Sequence, residues 1–357
     1  MTILFLVFLA ALALLLQRSA QNRGTDSLTV RHRLSDVLVE PDRPFRLIVS
    51  LENRSRHFFP FLRWFEHLPG EAEVQGESRV SDALREGKVV SGTTWLKPRQ
   101  GLEKPVTLSL PRRGRYLFRE LSVSRGDFLG LREERFSCSD ICEVVVVPRE
   151  AADQQLDQVL GGFLGDISVR RFLFEDPVLT LGFREYTGRE PMKSISWTQS
   201  ARAGQLMVKN FDYTAEPSLS IVLNVECVRE GGAEPIEQCF RLARTVCQKL
   251  EDQGVPYDFH TNAQTLGELA SWRYVSQGLG PRHFYGILEG LGRADGTAAC
   301  SCQELLEEIA RTPGPRNGVI FITPDGDPAA GRWTARLADL FDGQLLTLTA
   351  DPEVTPC

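Results

Sequence analysis

The chain of 357 residues lacks several features that mark common classes of function. Basic residues are not in excess: 41 Lys and Arg stand against 47 Asp and Glu, giving a formal net charge of -6. Nucleic-acid-binding proteins usually have a basic domain, so this class is disfavoured. No internal repeat or low-complexity segment is present. A hydrophobic content of 42% with 25% charged residues is that of a globular protein, and the length predicts two folded domains.

The cysteine spacings that mark zinc sites are also missing. Cys138 and Cys142 form one close pair and Cys300 and Cys302 another, but neither has the C-x-x-C spacing of a zinc knuckle. The other four cysteines are scattered among apolar residues: Cys227, Cys239, Cys247 and Cys357. We interpret these four as small buried hydrophobic residues in a reducing compartment.

The apolar run at the start, MTILFLVFLAALALLL, is short for a membrane span. As a helix it covers roughly 24 Å of a hydrocarbon core about 30 Å thick. No Lys or Arg precedes it and no small-x-small cleavage pattern follows, so we predict an uncleaved anchor over residues 1–22 rather than a signal peptide. Positive charges follow the span, which predicts a single-pass protein with its C-terminal domains in the cytoplasm.

The sequence pattern of residues 27–150 is typical of a β-sandwich-like domain. Short alternating or β-branched runs such as PFRLIVSL and CEVVVVP are separated by Pro, Gly and Asn turns. Within this region, LENRSRHFFPFLRWFEHLP places aromatic residues beside arginines. This run indicates either a contact surface or the core of the sandwich, and we favour the core.

The remainder of the chain predicts a different architecture. Residues 151–181 read as a hinge, with a short helix that ends at Gly161 and Gly162. In residues 182–357, apolar strands such as SLSIVLNV alternate with helical runs such as EPIEQCFRLARTVCQKLEDQG. Alternation of this kind predicts a doubly wound parallel sheet.

One polar segment, GFREYTGREPMKSISWTQSARAGQLMVKNF, stands out between the hinge and the first of these strands. It has neither a nucleophile–base pair nor a glycine-rich phosphate loop, which argues against catalysis. Arginine forks and aromatic rings instead suit directional contacts with a partner. The candidate interaction residues are Arg184, Tyr186, Arg189, Lys193, Trp197, Arg202 and Lys209. We expect Tyr186, Ile195 and Trp197 to bury their side chains, while the charged residues either lock the loop onto the sheet or face a partner.

Oxygen-bearing side chains follow two of the predicted strands, where α/β sheets bind ligands. Such oxygens can bind Mg²⁺. The degenerate candidate ligands are Asn224, Glu226, Thr297, Asp325 and Asp327. Val228 offers no hydroxyl oxygen, and Asn and Asp routinely cap helices and turns, so we predict weak or no metal binding and no cofactor.

The polar segment resembles the signature of the bacterial domain-of-unknown-function 58 family. The matching residues, in order, are Arg184, Tyr186, Ile195, Trp197, Ser200, Ala201, Arg202, Leu206, Val208 and Lys209. Upstream runs such as RRGRYLF and GDFLGL extend the resemblance over nearly the whole chain. It implies a membrane-anchored protein with a von Willebrand factor A-like C-terminal domain, which works beside AAA+ ATPases of the MoxR type.

The chain departs from that family in three places. Arg189 and Glu190 replace the usual Gly-Asp, and Asn224-x-Glu226-x-Val228 stands where metal-binding A domains carry Asp-x-Ser-x-Ser. One apolar span is present where two are usual, which bears on the membrane topology or the assigned start codon. The prediction is therefore a non-enzymatic, membrane-tethered interaction or scaffold protein that works with a MoxR-type ATPase or in envelope assembly. The alternative is a Mg²⁺-dependent hydrolase or nuclease that uses the acids at the strand ends.

Overall fold

A computed structural model describes residues 28–76, 79–82, 87–126, 133–138, 140–151, 154–171, 180–188, 192–211, 218–227, 233–267, 272–311, 318–325, 331–341 and 344–350. The chain divides into two compact units. The N-terminal unit comprises Met1–Arg149 with Leu291–Arg293, and the C-terminal unit comprises Glu150–Gly290 with Ala294–Cys357.

The N-terminal unit is built from strands. They are β1 (Leu28–Leu34), β2 (Leu38–Val39), β3 (Phe45–Asn53), β4 (Phe59–Leu68), β5 (Glu73–Gln75), β6 (Arg79–Asp82), β7 (Lys88–Leu96), β8 (Gly101–Ser109), β9 (Gly114–Phe118), β10 (Leu121–Gly126), β11 (Glu133–Cys138) and β12 (Cys142–Val146). They form sheets in the orders β1-β3-β8-β5, β11-β10-β4-β7-β6 and β2-β12-β9.

One hydrophobic core holds these sheets together. Alternate residues of β3, such as Leu47 and Val49, are fully buried, and Leu62 and Trp64 of β4 belong to the same core cluster. Successive side chains of a strand point to opposite faces, so a strand with alternating apolar residues buries one face and leaves the other to solvent.

A buried ion pair links two of the sheets of this unit. His32 Nδ1 on β1 lies 3.1 Å from Glu66 Oε1 on β4, both side chains are fully buried, and His32 Nε2 lies 2.8 Å from the Asp140 carbonyl oxygen. Burial by itself would lower the pKa of His32, but the hydrogen bond and the charge of Glu66 outweigh it and raise that pKa. Burial raises the pKa of Glu66, and the hydrogen bond with His32 offsets this only in part.

The C-terminal unit mixes helices with strands. In chain order the elements are α1 (Gln154–Arg171), β13 (Thr180–Glu185), α2 (Trp197–Ala203), β14 (Met207–Phe211), β15 (Leu219–Leu223), α3 (Ala233–Gln253), β16 (Tyr257–Thr261), β17 (Ala263–Thr265), β18 (Tyr274–Gly278), α4 (Pro281–Arg293), β19 (Ala294–Ala298), α5 (Cys302–Arg311), β20 (Gly318–Thr323), α6 (Gly331–Leu340) and β21 (Leu345–Thr349). The last residues of α4 are those that cluster with the N-terminal unit.

The main sheet of the C-terminal unit has the order β18-β16-β15-β20-β21. The strand β15 pairs in parallel with β16 and β20, and β20 pairs in parallel with β21. The strands β15 and β20 are buried along their whole length, as expected for a sheet covered on both faces.

The predicted doubly wound, von Willebrand A-like parallel sheet is wrong, because the sheet is mixed and β18 runs antiparallel to β16. After β16 the chain passes through the short strand β17 and returns as β18, and the described residues between them contain no crossover helix. A parallel return needs such a crossover, whereas an antiparallel return does not. Strands make up 45% and helices 29% of all described residues, so β-structure is the larger part of the described chain taken as a whole.

Two further expectations about helices are corrected. The helix α1 does not end at Gly161 and Gly162 but continues through them to Arg171, since an interior glycine costs only about 1 kcal/mol relative to alanine. The fold prediction also included an N-terminal membrane helix. No helix of the described ranges is long and apolar enough to cross a membrane, and the anchor predicted over residues 1–22 lies outside those ranges.

The His32–Glu66 pair predicts how stability depends on pH. The pKa values of His32 and Glu66 are both raised on folding, so these two groups bind their protons more tightly in the folded state than in the unfolded state. The free energy of unfolding that this adds is therefore lost as the pH rises. The contribution of His32 is complete below its ordinary pKa of 6.5 and is lost as the pH rises through the folded value. We expect the urea midpoint of the wild type to decrease as the pH is raised above 6.5. In His32→Gln the side chain does not titrate, so the midpoint should decrease less over the same pH range. A midpoint difference between the two proteins that stays constant over the same pH range would contradict this assignment.

Candidate functional site

The polar segment identified in the sequence analysis forms a small β-hairpin. A short helix lies in the connection between its two strands. The strands β13 and β14 pair antiparallel, with Phe183 opposite Lys209 and Arg184 opposite Val208. The helix α2 lies between them in sequence and contacts β14. We call the described residues of this segment, 182–188 and 192–211, the motif hairpin.

Serine hydrogen bonds fix α2 to the start of β14. The Ser200 hydroxyl donates to the Ser196 carbonyl oxygen at 2.8 Å and accepts from the Met207 N–H at 2.8 Å. The Ser196 N–H donates to the Met207 carbonyl oxygen at 2.8 Å. Gly204 ends the helix in the left-handed conformation, with φ of 70°, which glycine adopts without strain. Ser200 is thus a structural member of the segment.

The apolar interior of the motif hairpin is small. Ile195 is 6% exposed, Val208 is fully buried, and the two residues form an isolated β-bridge. Tyr186 is half-buried, and its N–H donates to the Leu206 carbonyl oxygen at 2.9 Å. The expected burial of Ile195 is therefore confirmed, and that of Tyr186 is partial.

The expected burial of Trp197 is wrong, because its side chain is 63% exposed. Trp197 is the first residue of α2, and none of the residues of this helix is buried. Hydrogen bonds through Ser196 and Ser200 hold the helix in place, so no apolar pocket is needed to receive the ring.

The exposed side chains of the motif hairpin, which we call its outer surface, include both basic and large apolar residues. Trp197 is accompanied by three further exposed apolar residues, and the basic candidates of the described part are all exposed. These residues are Phe183, Met192 and Leu206, with Arg184, Lys193, Arg202 and Lys209. Arg189, the remaining candidate, lies outside the described residues. The hairpin thus offers hydrogen-bond donors and aromatic surface, and its described residues contain no nucleophile–base pair.

The polar residues at the strand ends of the main sheet form a separate cluster. Asn224 follows β15, Thr323 ends β20, and Asn262 follows β16. The Asn224 amide donates to Thr323 Oγ1 at 3.2 Å, and the Asn262 amide donates to Asn224 Oδ1 at 2.8 Å. Asn262 Oδ1 accepts from the Val225 N–H at 2.8 Å. All three side chains are buried, so this cluster closes the ends of three neighbouring strands.

The candidate metal ligands are only partly brought together. Glu226 Oε2 accepts from the Cys302 N–H at 2.6 Å, so this carboxylate caps the start of α5. Asp325 is buried, and its Oδ1 lies 3.6 Å from Cys227 Sγ. Thr297 is exposed elsewhere and donates to Asp295 Oδ1 at 2.7 Å.

Asp327 lies outside the described residues, and within them no group of three or more His, Cys, Asp or Glu side chains is placed to hold a metal ion. Asn224, Glu226 and Asp325 therefore lie at the carboxyl ends of two neighbouring strands of the main sheet, and Thr297 lies elsewhere. Sequence reasoning missed Asn262, although an Asn directly after the strand-like run VPYDFHT is the same signal that singled out Asn224.

No protein-family model matches the chain, and neither does any curated protein sequence. Solved structures resemble about a third of it. A CARDB domain from Pyrococcus furiosus in complex with di-metal ions is 12% identical, with 36% of this chain and 95% of that domain covered at a TM-score of 0.23. A non-cellulosomal cohesin from Archaeoglobus fulgidus is 12% identical, with 34% and 91% covered at a TM-score of 0.24.

A cohesin module of a family 33 glycoside hydrolase from Clostridium perfringens is 15% identical, with 34% and 95% covered at a TM-score of 0.23. At these values the resemblance supports no conclusion about function.

The different exposure of Ile195 and Trp197 predicts opposite effects of truncation. Ile195→Ala should lower the free energy of unfolding by about 2–5 kcal/mol, because it removes buried methyl groups and leaves a cavity. Trp197→Ala should change it by no more than about 0.5 kcal/mol, because the ring is largely in water. Urea denaturation of the two variants measures both values, and a larger loss for Trp197→Ala would contradict the placement of the ring.

The amide cluster predicts a stability role for Asn262. Asn262→Ala leaves the buried Val225 N–H without its partner, and such an orphan costs about 1–3 kcal/mol. It also removes one of the two hydrogen bonds to Asn224 Oδ1, which keeps the one from the Glu226 N–H at 3.1 Å. Thr297→Ala is a matched control, since Thr297 was also a candidate ligand but is exposed, and it should stay within about 0.5 kcal/mol of the wild type. Equal urea midpoints for the two variants would show that the cluster contributes nothing.

Proposed function

We propose that the protein is an interaction or scaffold protein that binds a partner through the outer surface of the motif hairpin. The observation that supports this is the concentration of exposed Trp197, Met192, Phe183 and Leu206 in one short segment. Exposed apolar side chains are normal when scattered singly, but a group of them marks an interaction surface. Trp, Met and Arg are also enriched in protein interfaces.

The charge of this surface favours an acidic partner. Arg184, Lys193, Arg202 and Lys209 are exposed on the motif hairpin, and Glu185 is the one exposed carboxylate among its described residues. Glu185 accepts from the Gln205 amide at 2.6 Å and keeps its negative charge, so four exposed basic side chains stand against one exposed carboxylate. Complementary charge speeds association with an acidic surface and helps to select it.

The resemblance to the domain-of-unknown-function 58 family supports a MoxR-type AAA+ ATPase as that partner, with a component of envelope assembly as the other candidate. The hydrolase or nuclease alternative has less support. Asn224 and Glu226 are used in hydrogen bonds that fix a strand end and a helix start, so they serve the fold at the place where an active site would need them.

The test is direct binding between the purified chain and a MoxR-type ATPase from the same organism. The double variant Trp197→Ala, Arg202→Ala should weaken binding by about tenfold or more, since Trp and Arg are the usual hot-spot residues of interfaces. Tyr285→Ala is the matched control, because Tyr285 is an aromatic residue of similar exposure outside the motif hairpin, and it should bind like the wild type.

The outcomes separate the surface from the partner. Equal binding by the double variant and the wild type would refute the motif hairpin as the contact surface. No binding by the wild type would refute the ATPase as the partner.

A further inference from the structure

The outer face of the five-stranded sheet in the N-terminal unit has a composition unlike that of an ordinary solvated face. Leu62 and Trp64 of β4 point into the core, so the alternate residues Phe61, Arg63 and Phe65 point outward. These residues belong to the aromatic and arginine-rich run of the sequence. That run therefore supplies core on one face of the strand and a separate surface on the other.

Strand pairing places Arg63 in a row of polar residues that runs across the sheet. Arg63 lies opposite Thr93 of β7 on one side and opposite Ser124 of β10 on the other, and Ser124 lies opposite Arg135 of β11. Directly opposite residues share a face of the sheet. Neighbouring strands are about 4.8 Å apart, so the Cα atoms of Arg63 and Arg135 are about 10 Å apart with Ser124 between them.

The serine in the middle of this row has an unused hydroxyl. Ser124 is 1% exposed, and its Oγ has no hydrogen-bond partner among the described residues. A buried polar group without a partner costs about 1–3 kcal/mol. The hydroxyl is on the face that carries the two arginines and has almost no accessible surface, so a neighbouring side chain must move before a ligand bound between them can become its partner.

The two guanidinium groups rest on aromatic rings. Arg63 Cζ lies 5.4 Å from the centroid of the Phe61 ring, and Arg135 Cζ lies 5.2 Å from that of Phe65. Stacking of this kind restrains a guanidinium group while its N–H edge stays available. Both arginines are exposed, and no ion pair between either of them and a described carboxylate occurs.

Two neighbours shape the face around the row. Gly126 lies opposite Phe61, and a Cβ at this glycine would come within 2.8 Å of Phe61 Cδ1, so the glycine lets the ring lie against the sheet. Glu133 lies opposite Gly126 and is the carboxylate two residues from Arg135 along β11. It sits at one end of the face and leaves the row between Arg63 and Arg135 cationic.

We infer that this row binds the carboxylates of an acidic peptide segment of a partner protein. An arginine fork matches a carboxylate with two parallel hydrogen bonds, and Ser124 Oγ adds a donor between the two forks. The two arginines are separate exposed anchors, so a chain with several carboxylates can engage both. The Phe61 and Phe65 rings can cover the apolar stems of the bound side chains. This site is independent of the motif hairpin and of the function proposed for it.

The experiment measures fluorescence anisotropy of a labelled dodecapeptide of alternating Glu and Ser with the full chain. A peptide of alternating Gln and Ser serves as the uncharged probe and inorganic phosphate as a competitor. We expect the acidic peptide to bind, the Gln peptide not to bind, and added salt to weaken binding because exposed charges are screened. Arg63→Gln and Arg135→Gln should each lower the affinity by about tenfold, whereas Arg46→Gln, an exposed arginine on β3, should leave it unchanged.

Ser124→Ala separates ligand binding from a structural role. It should weaken peptide binding while the melting temperature stays equal or rises, because it removes a buried hydroxyl without a partner. Three results would overturn the inference: no binding of the acidic peptide, equal binding by the Arg63, Arg135 and Arg46 variants, or arginine-dependent binding of phosphate alone. The last would identify a site for a free oxyanion instead of a peptide.

Discussion

Alternation along the pleat of β4 is the constraint on which the N-terminal unit depends. Leu62 and Trp64 must enter the core, so Arg63 and Phe65 must face outward, and a shift of one residue would exchange the two sets. The register with β10 and β11 then brings Ser124 and Arg135 into line with Arg63. Burial of apolar side chains therefore also places the cationic row on the outer face.

Each unit contains a buried cluster of polar side chains. In each cluster, hydrogen bonds join strands that are far apart in the sequence. His32 and Glu66 join β1 to β4, and Asn224, Asn262 and Thr323 close the ends of β15, β16 and β20. Buried polar atoms are expensive without partners, so such groups define one arrangement of the chain. The carboxyl end of the main sheet is thereby used for structure.

The motif hairpin divides its residues between these two uses. Ile195, Val208 and Ser200 build the hairpin, because they supply its buried contact and the hydrogen bonds that hold α2. Trp197 and Arg202 remain on the outside. A small unit with so little interior cannot bury a tryptophan ring, and this gives the segment both a fixed backbone and a surface suited to a partner.

The sequence by itself determined the elements in which local pattern and burial agree. The apolar run SLSIVLNV predicts a buried strand, and β15 is buried throughout. The period of EPIEQCFRLARTVCQKLEDQG predicts a helix that ends at Gly254, and α3 ends at Gln253. The tertiary structure alone decided the antiparallel course of β18, the exposure of Trp197 and the position of Ser124 between Arg63 and Arg135. These features depend on which strands pair and in what register. Register arises from packing between residues far apart in the chain, which local periodicity does not encode.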